Sequence, residues 1–142
     1  MTVRPFQEQD REQTLAFLDD ARAIDSSGHH LHVVEEDAAL RGVSLWFATS
    51  RAEGRLAAIH TAEDQPRRTF YELAAAACRD AIATGLTEGT FELRNPALLR
   101  SLQRDFAIDP LPSAWDPASR EPIQWQVTVD LRDALQQLET YL

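Results

Sequence analysis

Lysine is absent: all 14 basic residues of this 142-residue chain are arginines, set against 23 Asp and Glu for a net charge of −9. Binding nucleic acid in general requires a basic face to neutralise phosphates, so that class is excluded. The single cysteine, Cys78, excludes an internal disulfide and, unaided, a zinc site. No apolar run approaches the roughly 18 residues of a membrane span, so membrane insertion is excluded as well. The opening MTVRPFQEQD has no basic segment leading into an apolar one, which reads as a cytoplasmic protein.

What is present is the composition of an ordinary globular domain, 44% apolar and 26% charged. A chain of this length buries about two thirds of the surface it would expose unfolded, so a single domain over residues 1–142 needs no metal to fold.

Residues Thr2–Phe6 are β-favouring, and Asp10 is placed as an N-cap for a helix from Arg11 to Ile24. Leu31–Val34, Val43–Phe47 and Arg55–Thr61 then read as a three-stranded meander, turned at Glu35-Glu36-Asp37 and at Arg51–Gly54. The most strongly patterned helix runs from Phe70 to Ala83, with Leu73, Ala76, Ala77 and Ala81 on one face and Gly85 as its terminator. A fifth strand follows around Phe91 and Leu93, and Asn95-Pro96 opens a helix to about Arg104. Four prolines between Asp105 and Pro122 predict a long loop or a short edge strand. Ile123, Trp125, Val127 and Val129 alternate as a final strand with Trp125 in the core, and Leu131, Leu135, Leu138 and Leu142 give a closing helix one apolar stripe.

This order, together with TVRPFQEQDREQTLAFLDDA at the start and NPALLRSLQRDF after the fifth strand, resembles the GNAT family of acyl-CoA N-acyltransferases. The resemblance covers about Thr2 to Val129. It implies an α/β (α+β) fold: a mixed, mostly antiparallel sheet flanked by helices, here with an additional C-terminal helix at 130–142. It also implies acetyl-CoA or another acyl-CoA as co-substrate, held by the fourth strand at Ile59 and Thr61, by the loop Gln65 to Phe70 and by Asn95.

Three features depart from the family pattern. Its pyrophosphate loop aligns with QPRRTF, where Gln65 matches but Arg68 and Phe70 replace two small residues that let backbone approach phosphate. Thr69 and Glu72 fit a capping box that would use up the helix's own donors, and Glu72 would repel a diphosphate. Arg67 and Arg68 are either a phosphate grip or a solvated pair. Finally, Leu102 stands where many members carry the tyrosine that reprotonates the leaving thiolate.

A base for the amine is expected near the end of the fourth strand, where His60 and Glu63 are available; the alternative for both is a solvated surface residue. His29, His30 and His32 lack the further ligands a metal site needs, so no metal is expected. Cys78, mid-helix among alanines, reads as a small buried hydrophobe. The leading expectation is a divergent N-acyltransferase acting on a small-molecule amine acceptor. The alternative is a catalytically inactive binding or assembly module, and a homodimer through the closing helix is compatible with either.

Overall fold

The structure is a computed structural model describing residues 1–142. Seven strands form one mixed sheet in the order β1-β2-β3-β4-β5-β7-β6. They are β1 (Thr2–Pro5), β2 (His29–Glu36), β3 (Ala39–Ala48), β4 (Glu53–Thr61), β5 (Glu88–Leu93), β6 (Leu111–Trp115) and β7 (Pro122–Asp130). Five helices accompany them: α1 (Arg11–Thr14), α2 (Ala21–Asp25), α3 (Arg67–Ala83), α4 (Pro96–Asp105) and α5 (Leu131–Glu139). No helix is long and apolar enough to cross a membrane. The mixed, mostly antiparallel sheet with a C-terminal helix is the architecture expected.

Alternation sorts the meander into two faces. Leu31, Val33, Val43 and Leu45 point to one side, where Leu18 and Ile24 complete a closed apolar core. The other side carries Ser44 and Trp46 beneath α3, whose Asp80 accepts a hydrogen bond from the Trp46 indole at 3.0 Å. His30 stacks on Trp46 at 4.1 Å between ring centroids, on this same side. The β2–β3 turn is tight: Asp37 and Ala38 both adopt positive φ, as a two-residue hairpin of matching twist requires.

Helix α3 ends as its sequence indicates. Gly85 takes φ +97°, the Leu86 N–H reaches the carbonyl of Ala81, and the Gly85 N–H reaches that of Ile82, a Schellman closure. The Asn95 side chain accepts from the N–H groups of Ala97 and Leu98 and so caps α4.

Four expectations need correction. The helix expected over Arg11–Ile24 is two short pieces, because Asp20 is extended and caps α2 by accepting from the Arg22 N–H. Asp10 does not cap α1; its carboxylate is held by Arg4 at 2.7 Å and by the Gln7 N–H. On β7, Ile123 is exposed and Trp125 only half-buried, whereas Gln124 is buried because Arg94 and Ser113 satisfy its amide. The leucine stripe of α5 is covered within the chain: Leu135, Leu138 and Leu142 join Tyr71 and Ala75 of α3 in one cluster. It therefore supplies no reason for a dimer.

Candidate functional site

Strand β4 is the element that builds the site. Its first half pairs in parallel with β5, from Glu53 opposite Glu88 to Leu56 opposite Phe91, and there the pairing stops. The register with β3 also shifts at this point, with Leu45 opposite Ala58 but Trp46 opposite Leu56, so Ala57 is the extra residue of a bulge. Beyond it β4 follows β3 and parts from β5, opening a gap between them.

The direction of the backbone donors follows from one bond. The Ala62 N–H donates to the Arg41 carbonyl at 2.8 Å, and Thr61 stands opposite Gly42. In an antiparallel ladder alternate residues bond to the neighbour, so the N–H groups of Thr61 and Ile59 turn away from β3 toward the gap.

At the far end of β4 the chain turns through Gln65-Pro66 into α3. Pro66 is the N-cap, and no side chain caps this helix. The capping box expected at Thr69 and Glu72 does not form. Thr69 is already in the first turn, fully buried, and its hydroxyl donates to the Gln65 side chain at 3.0 Å, while Glu72 pairs with Arg68 at 3.3 Å. The first amides of α3 thus keep the partial positive charge of a helix N-terminus unspent.

Pro66, Arg67 and Phe70 at this helix start border a polar pocket between the end of β4, the start of α3 and helix α4. Arg67, Arg100 and Arg104 line it together with Gln65, Asn95 and Ser101, and no carboxylate does. Arg67 is fixed there by donating to the Ser101 hydroxyl at 2.7 Å, and Arg104 donates to the same oxygen and to the Asp105 carboxylate, each at 3.2 Å. In a chain of net −9 this is a local concentration of positive charge.

Beside the pocket lies a groove of about 550 Å³ lined mostly by apolar residues, among them residues of β4, β5, α3 and α5. Phe70, Asn95 and Leu98 border both spaces, which therefore lie side by side. Along the groove α3 presents Ala74, Ala77, Cys78 and Ala81, side chains too small to fill the gap beneath the parting strands. Burial pushes the Cys78 thiol up to about 11, so it stays protonated and acts as the small hydrophobe expected.

The residues singled out from sequence divide into two groups. Ile59 lines the groove, Thr61, Gln65 and Arg67 line the polar pocket, Phe70 and Asn95 line both, and His60 stands exposed at the groove. Glu63, Arg68 and Thr69 border neither space. Arg68 points the other way, with one nitrogen 3.4 Å from the Leu142 carbonyl, so only Phe70 of the two bulky replacements stands in the pocket. Leu102 is buried against Tyr71, whose hydroxyl donates to the Asp105 carboxylate at 2.9 Å. Burial, reinforced by that carboxylate, raises the Tyr71 pKa.

Arg100, Ser101 and Arg104 were not singled out from sequence. Their signal is spacing: residues three and four apart share one face of a helix.

No family model and no curated protein matches the chain. Solved structures do. A GNAT family acetyltransferase from Elizabethkingia anophelis with acetyl-CoA bound superposes with a TM-score of 0.68 at 12% identity, over 91% of this chain and 97% of its own. A putative GNAT acetyltransferase from Desulfovibrio desulfuricans gives 0.72 at 15% identity, over 92% and 98%. The ribosomal-protein-S18-alanine N-acetyltransferase from Escherichia coli gives 0.72 at 10% identity, over 92% and 93%. At such identities the likeness is one of architecture, and by that architecture the chain has the GNAT acetyltransferase fold.

Proposed function

We propose that the protein is an N-acyltransferase that moves an acyl group from acyl-CoA to an amine-bearing small molecule, acting as one domain over residues 1–142 in the cytoplasm. The observation that carries this reading is the polar pocket lined by Arg67, Arg100 and Arg104 at the uncapped N-terminus of α3, next to the gap between β4 and β5. Arginine forks and unpaired helix amides suit a diphosphate. The groove beyond suits the uncharged arm that carries the thioester, and acetyl-CoA bound to a neighbour of the same fold supports the assignment.

In the reaction the amine nitrogen attacks the thioester carbon, a C–N bond forms, the C–S bond breaks and CoA leaves as thiolate. The Ile59 N–H, turned into the gap, is placed to hold the negative charge on the carbonyl oxygen. His60 at the groove takes the proton that the amine loses, a task for which exposed Glu63, outside the groove, is worse placed. Leu102 has no proton to give and the Tyr71 hydroxyl is committed to Asp105, so the thiolate takes its proton from water.

The second reading, a binding or assembly module without acyl-CoA, is favoured by Phe70 in the polar pocket and by Leu102. Calorimetric titration with CoA and acetyl-CoA at low salt separates the two. Binding is expected, weakened roughly tenfold or more by Arg67→Ala or Arg104→Ala, at about 1.5–3 kcal/mol for a bond to a charged group. Absence of binding selects the module.

A further inference from the structure

The gap between β4 and β5 has two sides. Leu56 stands opposite Trp46 and Phe91 on the face of α3, so Arg55, opposite Phe47 and Thr90, is on the face of α1 and α2. Alternation from Phe91 puts Glu92 and Arg94 on that second face, and the bulge at Ala57 puts His60 there as well, opposite Val43. All four border the groove, and apart from His60 they are its only charged side chains. The apolar side toward α3 is taken by the uncharged arm of the co-substrate. The polar side is left for the acceptor.

That side is uncovered. Helices α1 and α2 pack over the meander, and α3, α4 and α5 lie on the opposite face, so no helix closes over Glu92 and Arg94. Arg55 pairs with Glu92 at 2.9 Å, and these two charges offset each other. Arg94 is placed differently. Its Nε donates at 2.8 Å to the side-chain oxygen of buried Gln124, which in turn donates to the Ser113 hydroxyl at 3.3 Å. The two terminal nitrogens of Arg94 have no partner in the chain, so its guanidinium is anchored at one edge and free at the other. Counting on from Leu56 opposite Phe91, with Ala57 as the extra residue, His60 comes level with Arg94 across the gap.

Resting on the acyl-transfer reading above, we propose that the acceptor is an amino acid, an amine that also carries a carboxylate, and that Arg94 selects it by binding that carboxylate. The planar fork of a guanidinium matches a carboxylate with two parallel hydrogen bonds. A phosphate there would set a second negative charge against one free cation, two residues from Glu92. With its carboxylate on Arg94 the acceptor presents its nitrogen beside His60. The nitrogen gains the acyl carbon, the C–S bond breaks, the amine's proton passes to His60 and the thiolate takes one from water. The carboxylate is unchanged, and the products are an N-acyl amino acid and CoA.

The test measures thiol release from acetyl-CoA by the full chain with each of the common amino acids beside its amide, which keeps the amine and removes the negative charge. At least one amino acid is expected to exceed its amide about tenfold or more in kcat/KM, the worth of a hydrogen bond between charged groups. Amides that match or exceed every amino acid overturn the proposal, as does O-phosphoethanolamine outperforming them all. Arg94→Gln, whose amide can still reach Gln124, is expected to bring the ratio toward one. Should that variant melt early, Arg94→Lys, which keeps the charge without the fork, is expected to lower the ratio in part. An unchanged ratio in a folded variant overturns the role of Arg94. If nothing releases thiol, the acyl-transfer reading fails by itself, and ligand-observed NMR with the same pairs decides for the site. An amino acid that binds more strongly than its amide, and loses that advantage in Arg94→Gln, upholds carboxylate recognition; no such preference overturns it.

Discussion

The two faces of the sheet solve different problems with the same strands. On the side of α1 and α2, two helices of four and five residues are enough to close a core in which Val33 and Val43 have no exposed surface. On the side of α3, a helix of 17 residues leaves a groove open along its alanines and covers a polar group of His30, His32, Ser44 and Asp80. More helix gives less closure. What matters is side-chain volume: leucine and valine interdigitate across the first face, whereas alanine and cysteine on the second leave the space between α3 and the parting strands unfilled.

The largest way to test that contrast is to remove volume from the closed face and add it to the open one. Leu45→Ala, at a position 4% exposed, is expected to cost about 2–5 kcal/mol in urea unfolding. Cys78→Leu, although it enlarges a mostly buried residue, should cost under about 1.5 kcal/mol, because the groove accepts the added carbon. If the two changes cost the same, the second face is packed as tightly as the first.

The open face is not loose everywhere. Where β3 crosses under α3, a Cβ on Gly42 would lie 2.9 Å from the His60 carbonyl oxygen and 3.0 Å from Leu73. One neighbour is backbone, so Gly42→Ala must displace β4 beside Thr61. The expected loss is about 1–3 kcal/mol, with CoA affinity reduced in parallel because the displaced strand borders the polar pocket. Unchanged affinity would show that this stretch of β4 does not position the site.

A smaller effect is expected at α4, which brings Arg100 and Arg104 to the pocket. Asn95→Ala removes the cap that accepts from Ala97 and Leu98 and should cost about 1 kcal/mol in thermal or urea unfolding.

The legible parts of the fold were those governed by local chemistry. Alternation marked the meander, Gly85 the end of α3, and Asn95-Pro96 the start of α4, because turns and caps are decided by a residue and its near neighbours. What sequence did not give depends on partners far along the chain. Thr69 satisfies every local rule for an N-cap, yet the chain turns three residues earlier, and its hydroxyl is satisfied by Gln65. Arg68 lies next to Arg67 but is drawn off to Leu142, 74 positions away. Arg100 and Arg104 join Arg67 only because α4 packs near the end of β4. The polar pocket was half visible for that reason: its α3 side is contiguous in sequence, its α4 side is not.

The smallest predicted effect concerns the polar group under α3 and has a definite sign. His32 is half-buried, paired in register with Ser44, and its Nδ1 has no hydrogen-bond partner. Burial lowers its pKa, the nearby His30 adds to this, and Asp80 opposes it. A histidine whose folded pKa is depressed binds its proton more readily unfolded. Stability is therefore complete above the unfolded value, about 6.5, and is lost as pH falls from there toward the folded value. Chemical unfolding of the native chain and of His32→Gln at pH 7.5 and pH 5.5 isolates this contribution from the carboxylates common to both. The native protein should lose more stability than the variant over that interval. An equal loss would mean that the imidazole takes up its proton in place, and that the α3 face admits water as freely there as it does along the groove.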